Sequence, residues 1–156
     1  MASILCYITL LLFTVALSEE CPCLPPPLPE DWEGDVYEYW NKFRLCAADY
    51  TIKAKILKRS QPKISDEDDP LSVGTVVYII KVLRTFKGTF DEKEIVELKT
   101  PTDGIEDFCK VKLNVKETYL LTGKKGEGQL EIWQCDWHEL WKDDTRKKIR
   151  EAQKKC

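Results

Sequence analysis

A single histidine, His138, is all the imidazole in this chain of 156 residues. A zinc-protease helix needs two histidines at i and i+4. Here His138-Glu139 is followed by Leu140 and Trp141, with Lys142 where the second ligand would have to stand. A catalytic metal held by histidines is therefore excluded. The sequence also lacks the GxSxG elbow, the phosphate-binding P-loop and the glycine fingerprint of dinucleotide sites, so none of those chemistries has a motif to rest on. It has no C-x-x-C pair of the kind that builds structural zinc sites. It has no N-x-Ser/Thr acceptor either, and N-glycosylation is not expected. Beyond residue 18 no apolar run approaches the about 20 residues of a membrane helix. These gaps leave a protein that is not an enzyme, with no cofactor and no metal of its own, as the expectation.

What is present begins with a leader. Residues 1–18, MASILCYITLLLFTVALS, carry an apolar run from Ile8 to Leu17 that is too short to span a membrane and ends on small residues. They read as a secretory signal peptide cleaved after Ser18, leaving 19–156 as one secreted domain. The net charge is −3 with both signs interspersed, which argues against a dedicated nucleic-acid surface. Without Cys6, six cysteines remain: Cys21, Cys23, Cys46, Cys109, Cys135 and Cys156. An even count in a secreted chain reads as three disulfides, with 15 pairings open. Cys21 and Cys23, separated only by Pro22, are too close to bond each other comfortably, so each must reach elsewhere. The proline run that follows, at residues 24–29, extends this segment as a stiff strip.

Periodicity gives a coarse layout. The 35–44 segment reads as a short helix capped by Asp35. Its Val36, Tyr37, Trp40 and Phe43 stripe is expected in the core, with Trp32 and Tyr39 off the stripe and free to be exposed. Strand patterns follow at 48–57 and 75–86, the second long enough to bend around a barrel, and then at 94–99, 111–113, 118–122 and 129–133. Residues 58–72, with the acidic run Asp66–Asp69, read as an exposed loop, 101–104 as a turn, and Glu106-Asp107 as a solvated turn. From Trp141 the spacing is helical, with Asp143 or Asp144 as cap. His138 reads as a structural or surface residue. Several strands with a helix at each end predict a mainly β fold, a small closed barrel.

The cysteine positions and several motifs carry a resemblance. Cys21-Pro22-Cys23-Leu24-Pro25-Pro26-Pro27, Leu45 to Lys55, Tyr78 to Gly88, Phe108-Cys109, Tyr119 to Lys124, and Cys135 through Cys156 are similar to the tissue inhibitors of metalloproteinases. The resemblance implies a netrin-like domain, a five-stranded OB-type closed barrel with flanking helices. It also implies three disulfides, Cys21–Cys109, Cys23–Cys135 and Cys46–Cys156. Only the family's inhibitory domain is matched.

The function implied is inhibition of an extracellular zinc metalloproteinase by a monomer. In that mechanism the amine and carbonyl of Cys21 chelate the target's zinc and Pro22 enters the specificity pocket. Cys23, Leu24 and Pro25 line the groove, and Glu106, Asp107 and Phe108 flank it. The 22 residues between Cys23 and Cys46 exceed the family's spacing and mark the 30–45 stretch as an insertion beside this ridge. The alternative is a netrin-like extracellular binding module without inhibition, if Glu19-Glu20 remain and block the Cys21 amine.

Overall fold

A computed structural model describes residues 23–61, 63–64, 74–102, 111–126, 129–154 and 156. The leader, Cys21, Pro22, the acidic run at 66–69, the Glu106–Phe108 stretch and Cys109 lie outside the described residues, as does the implied Cys21–Cys109 bridge.

Helix α1 (Val36–Ala47) is followed by β1 (Tyr50–Arg59), β2 (Lys63–Ile64), β3 (Gly74–Lys87) and β4 (Ile95–Thr102). Then come β5 (Thr118–Lys125), β6 (Leu130–Glu131), β7 (His138–Leu140) and helix α2 (Thr145–Gln153). Strand order runs β1-β3-β4-β6-β5, and β5 pairs back onto β1, so five strands close a barrel. Every pairing in the ring is antiparallel except β4 with β6. This is the predicted OB-type topology. β2 extends β3 at one edge and β7 adds to β5.

Sequence alternation explains the wall. On β1, Ile52, Ala54 and Ile56 point inward and are fully buried; on β3, Val76, Tyr78, Ile80 and Val82 do the same. β3 is long enough to serve two neighbours. Its Gly74–Lys81 half pairs with β4 and its Tyr78–Lys87 half with β1, and that bend turns the sheet. Three register shifts along the β1–β3 pairing add the local twist that closure needs. Gly123 makes the tightest approach. A Cβ there would stand 2.2 Å from the Glu131 carbonyl and 2.6 Å from the Tyr50 hydroxyl, which itself donates to that carbonyl at 3.1 Å.

A second, smaller core lies outside the barrel, where Leu45, Leu120, Trp137, Ile149 and Ala152 meet between the wall and the two helices, with Phe86 and Trp141 packed against it. Cys46–Cys156 ties α1 to the residue after α2. In the loop-closure picture a bridge across 110 residues restricts the unfolded chain by roughly 4–5 kcal/mol.

Six expectations need correction. Residues 58–72 are not all loop: Lys58 and Arg59 continue β1, and Lys63–Ile64 form β2 against the start of β3. The aromatic stripe of α1 is not core: Val36 is 48 %, Tyr37 76 % and Phe43 44 % exposed and only Trp40 is half-buried, because the helix docks through Leu45 on its opposite side. Trp32 and Tyr39, expected to be exposed, are half-buried against each other, ring centroids 5.0 Å apart. Residues 111–113 form no strand. The Tyr78 hydroxyl donates to the Val111 carbonyl and accepts from the Leu113 amide, so a side chain takes the place of a ladder. Pro101 continues β4 instead of starting a turn. It lies past Leu98 and Lys99, where β6 no longer covers the far edge and a missing N–H costs no ladder bond. Finally, α2 starts at Thr145 rather than near Trp141. Asp144 stands at the expected cap position but makes no side-chain capping bond, and the Thr145 hydroxyl, which accepts the Lys142 amide at 3.0 Å, closes the turn before the helix. Among the described residues no helix is long and apolar enough to cross a membrane.

Candidate functional site

The described part of the Cys21–Pro25 stretch starts from a covalent anchor. Cys23 is bonded to Cys135, with Cα atoms 5.3 Å apart. Immediately after it Leu24 is 81 % exposed and Pro25 is exposed. A leucine so exposed beside a half-buried bridged cysteine is held out into solvent by its backbone, because an apolar side chain gains nothing from that position.

Two further contacts hold the proline strip. The Tyr39 hydroxyl, on α1, donates to the Pro27 carbonyl at 3.3 Å, and the Trp32 amide donates to the Pro29 carbonyl at 3.0 Å. Trp32 in turn packs edge-on against Tyr39, with the Lys42 ammonium 5.4 Å from its ring centre. Prolines donate no hydrogen bonds, so their carbonyls are the only backbone handles on this strip, and α1 uses one of them.

The other end of the bridge sits in a compact turn. The Trp133 amide donates to the Asp136 carboxylate at 2.7 Å and the Asp136 amide donates back to the Trp133 carbonyl at 3.0 Å. The Trp137 carbonyl accepts both the amide and the hydroxyl of Thr122, each at 3.0 Å, fastening the turn to β5. His138 Nδ1 lies 2.9 Å from the Asp136 carbonyl. Trp133 remains half exposed two residues before Cys135.

A part-buried set of ionisable groups lies behind this turn. Burial pushes the Asp136 carboxyl up, against the Trp133 amide, His138, Lys124 and Arg44, which all favour its charged form. Burial also pushes the His138 imidazole down, opposed by its bond to the Asp136 carbonyl. Arg44, on α1, is lowered by burial while Asp136 and Glu139 hold its charge, and its guanidinium lies 4.8 Å from the Trp40 ring centre. Arg44 on α1 and Asp136 in the turn that carries Cys135 thus each favour the other's charged form.

A cleft of about 620 Å³ opens between α1 and α2, lined by Tyr37, Lys42, Trp137, Lys148, Glu151 and Ala152 among others. Two of its charges are engaged by residues beside it: Lys148 pairs with Asp144 and Glu139, and Glu151 with Lys147. It offers no convergent set of reactive groups.

Of the residues expected to form the site, the structure therefore places Cys23, Leu24 and Pro25 on one exposed, anchored strip. Cys21, Pro22, Glu106, Asp107 and Phe108 are outside the described residues. Sequence reading missed the supports, namely Tyr39, Trp32, Arg44 and the Asp136–His138 turn. The proximity of Asp136 to Cys135 in the chain was the one available signal for that turn. For Tyr39 there was none, since its value lies in a carbonyl twelve residues away.

Comparison with known proteins places most of the chain in one family. Residues 40–155 match the family profile described as tissue inhibitor of metalloproteinase. The chain is 29 % identical over 126 residues to metalloproteinase inhibitor 3 of Gallus gallus, covering 80 % of this chain and 50 % of that protein. It is 34 % identical over 103 residues to metalloproteinase inhibitor 4 of Rattus norvegicus, covering 64 % and 44 %. With metalloproteinase inhibitor 3 of Xenopus laevis it shares 30 % over 129 residues, covering 82 % and 50 %. The chain spans about half the length of the curated relatives it matches.

Proposed function

Because the chain belongs to the tissue inhibitor of metalloproteinase family, we propose that it is a secreted, stoichiometric inhibitor of extracellular zinc metalloproteinases, acting as a monomer through its amino-terminal strip. The relatives are named as inhibitors, not as enzymes. In this reading residues 1–18 are a signal peptide and 19–156 the netrin-like domain, with the chain trimmed to Cys21 before it acts.

The chemistry is a ligand exchange at the target. A catalytic zinc site keeps three protein ligands and one exchangeable water. The neutral amine and the carbonyl of Cys21 replace that water, closing a five-membered chelate. Pro22 fills the adjoining specificity pocket, Cys23 to Pro25 occupy the substrate groove, and Glu106, Asp107 and Phe108 lie alongside. An acylated nitrogen cannot do this, because its lone pair is delocalised into the amide. Retained Glu19 and Glu20 would therefore abolish chelation.

The observation that carries the reading is the anchored exposure of Leu24: a bridge to Cys135 on one side and the Tyr39 contact to Pro27 on the other fix a protruding apolar strip. A strip fixed before it docks loses little conformational freedom on binding, which favours tight inhibition. Intact-mass measurement of the secreted protein, together with inhibition assays against a panel of zinc metalloproteinases, tests it. Mass beginning at Cys21 with one-to-one inhibition is expected. A secreted form beginning at Glu19 that inhibits no member would overturn it.

A further inference from the structure

On the outer wall of the barrel four cations stand in a block. Ile52, Ala54 and Ile56 point into the core, so Lys53 and Lys55 on β1 point out; on β3, Ile80 and Val82 point in and Lys81 points out. The register sets Lys55 directly opposite Lys81 and Lys53 directly opposite Arg84. Like charges in directly paired positions destabilise a sheet. Here there are two such pairs side by side, and among the described residues none of the four makes an ion pair.

The block is also ordered. Phe86 and Trp141 stack with ring centroids 5.9 Å apart and planes at 11°. Lys53 sits 4.3 Å from the Trp141 ring centre and Arg84 5.7 Å from the Phe86 ring centre, so each of the two rings carries one of the cations. Cation–π contacts hold them in place without neutralising them. With a whole-chain charge of −3, this concentration of positive charge is invisible in the composition.

We propose that this face is a second binding surface, separate from the Cys23–Pro25 strip, and that it takes an extended acidic segment of a partner protein with carboxylates at alternate residues. The spacing selects that occupant. Same-face residues of a strand lie about 6.7 Å apart, twice the rise per residue, and so do alternate side chains of any extended peptide. On β3 a register shift between the two pairs sets Arg84 three residues from Lys81, so the even spacing belongs to β1. A peptide laid along β1 places successive carboxylates beside Lys53 and then Lys55, with Arg84 and Lys81 as their cross-strand partners. Each carboxylate relieves one like-charge contact. The argument uses the barrel alone and does not depend on the inhibitory reading.

The test uses the intact disulfide-bonded protein and two labelled octapeptides of equal composition, one alternating Thr and Glu and one with four Thr followed by four Glu. Fluorescence anisotropy at low salt should show the alternating peptide binding at least about fivefold more tightly, the worth of one well-placed exposed charge pair. Lys81→Glu should weaken that binding by a similar factor or more while raising the midpoint of thermal unfolding, since it converts a Lys–Lys pair into a Lys–Glu pair. Gain of stability with loss of binding is the signature, and it shows that the variant is folded. Equal affinity for the two peptides, or no binding by either, would overturn the proposal. So would a sulfated polysaccharide that binds in a Lys81-dependent way where the alternating peptide does not. Peptide binding that appears only after Asp66, Glu67, Asp68 and Asp69 are neutralised would overturn it too, by assigning the face to the chain's own acidic run.

Discussion

The barrel and the layer outside it are held together by different means. In the barrel, each strand is secured by neighbours on both sides over much of its length, and the inner side chains of β1 and β3 are removed from water almost entirely. The outer layer, α1 with the proline strip and the Cys135 turn, has Leu45 as the one buried hydrophobic residue of its helix, two disulfides, a phenol on a carbonyl and a part-buried charge cluster. Apolar burial is non-directional and cumulative, whereas a disulfide or a hydrogen bond fixes one geometry. A scaffold calls for the first and the presentation of a strip calls for the second. The division of labour is thus visible in the kind of force used, before any function is considered.

Substitutions can pull the two apart. The largest effect should come from Ile80→Ala, which empties a fully buried position in the barrel. It should cost about 2–5 kcal/mol in denaturant unfolding, yet leave the inhibition constant unchanged wherever the protein is folded. Next is Gly123→Ala, whose methyl meets the Glu131 carbonyl and the Tyr50 ring. The strand must shift to admit it, at about 1–3 kcal/mol, with the same null effect on inhibition.

Tyr39→Phe reverses the pattern. It deletes only the hydroxyl that holds Pro27. Stability should fall by no more than about 1 kcal/mol. The inhibition constant should nonetheless rise, through faster dissociation, because the strip loses a contact that fixes its shape. Equal stability loss for Tyr39→Phe and Gly123→Ala, or an unchanged dissociation rate for the former, would erase the distinction drawn here.

The smallest expected effect is a pH dependence. The His138 imidazole is pushed down by burial, so the unfolded chain takes up a proton first as pH falls below about 6.5. Its contribution to stability is therefore full above that pH and is lost as pH falls through the folded-state value. Asp136, pushed up by burial, works in the opposite sense at lower pH, where the folded state takes up the proton first. Unfolding midpoints measured between pH 7.5 and 5 should decline in the native protein and flatten in His138→Gln.

The same contrast explains what the sequence made legible. Alternation revealed Ile52, Ala54 and Ile56 and the long β3 because burial on one face of a strand repeats every second residue. Periodicity also located α1 and its Asp35 cap, but it assigned the wrong face to the core. Helical spacing reports that apolar residues share a side; it does not report what that side meets. Val36, Tyr37 and Phe43 face outward because Leu45 and the Cys46 bridge fix the helix by its other flank. The cysteine order carried the Cys23–Cys135 and Cys46–Cys156 pairings by resemblance, and the structure has both. β7 and the supports of the strip were illegible for a shared reason. Each depends on a partner distant in sequence, as when Leu121 pairs with His138 or Tyr39 finds Pro27.

If the proposed mechanism holds, inhibition depends on a free Cys21 amine reaching the metalloproteinase zinc. Titration of an active-site-counted metalloproteinase compares two forms of the protein, one beginning at Cys21 and one carrying a single additional alanine before it. A sharp one-to-one endpoint is expected for the first and a loss of inhibition of at least about 100-fold for the second, since acylation removes the chelating amine and with it about 2.7 kcal/mol or more of binding. Equal titration curves for the two forms would contradict it.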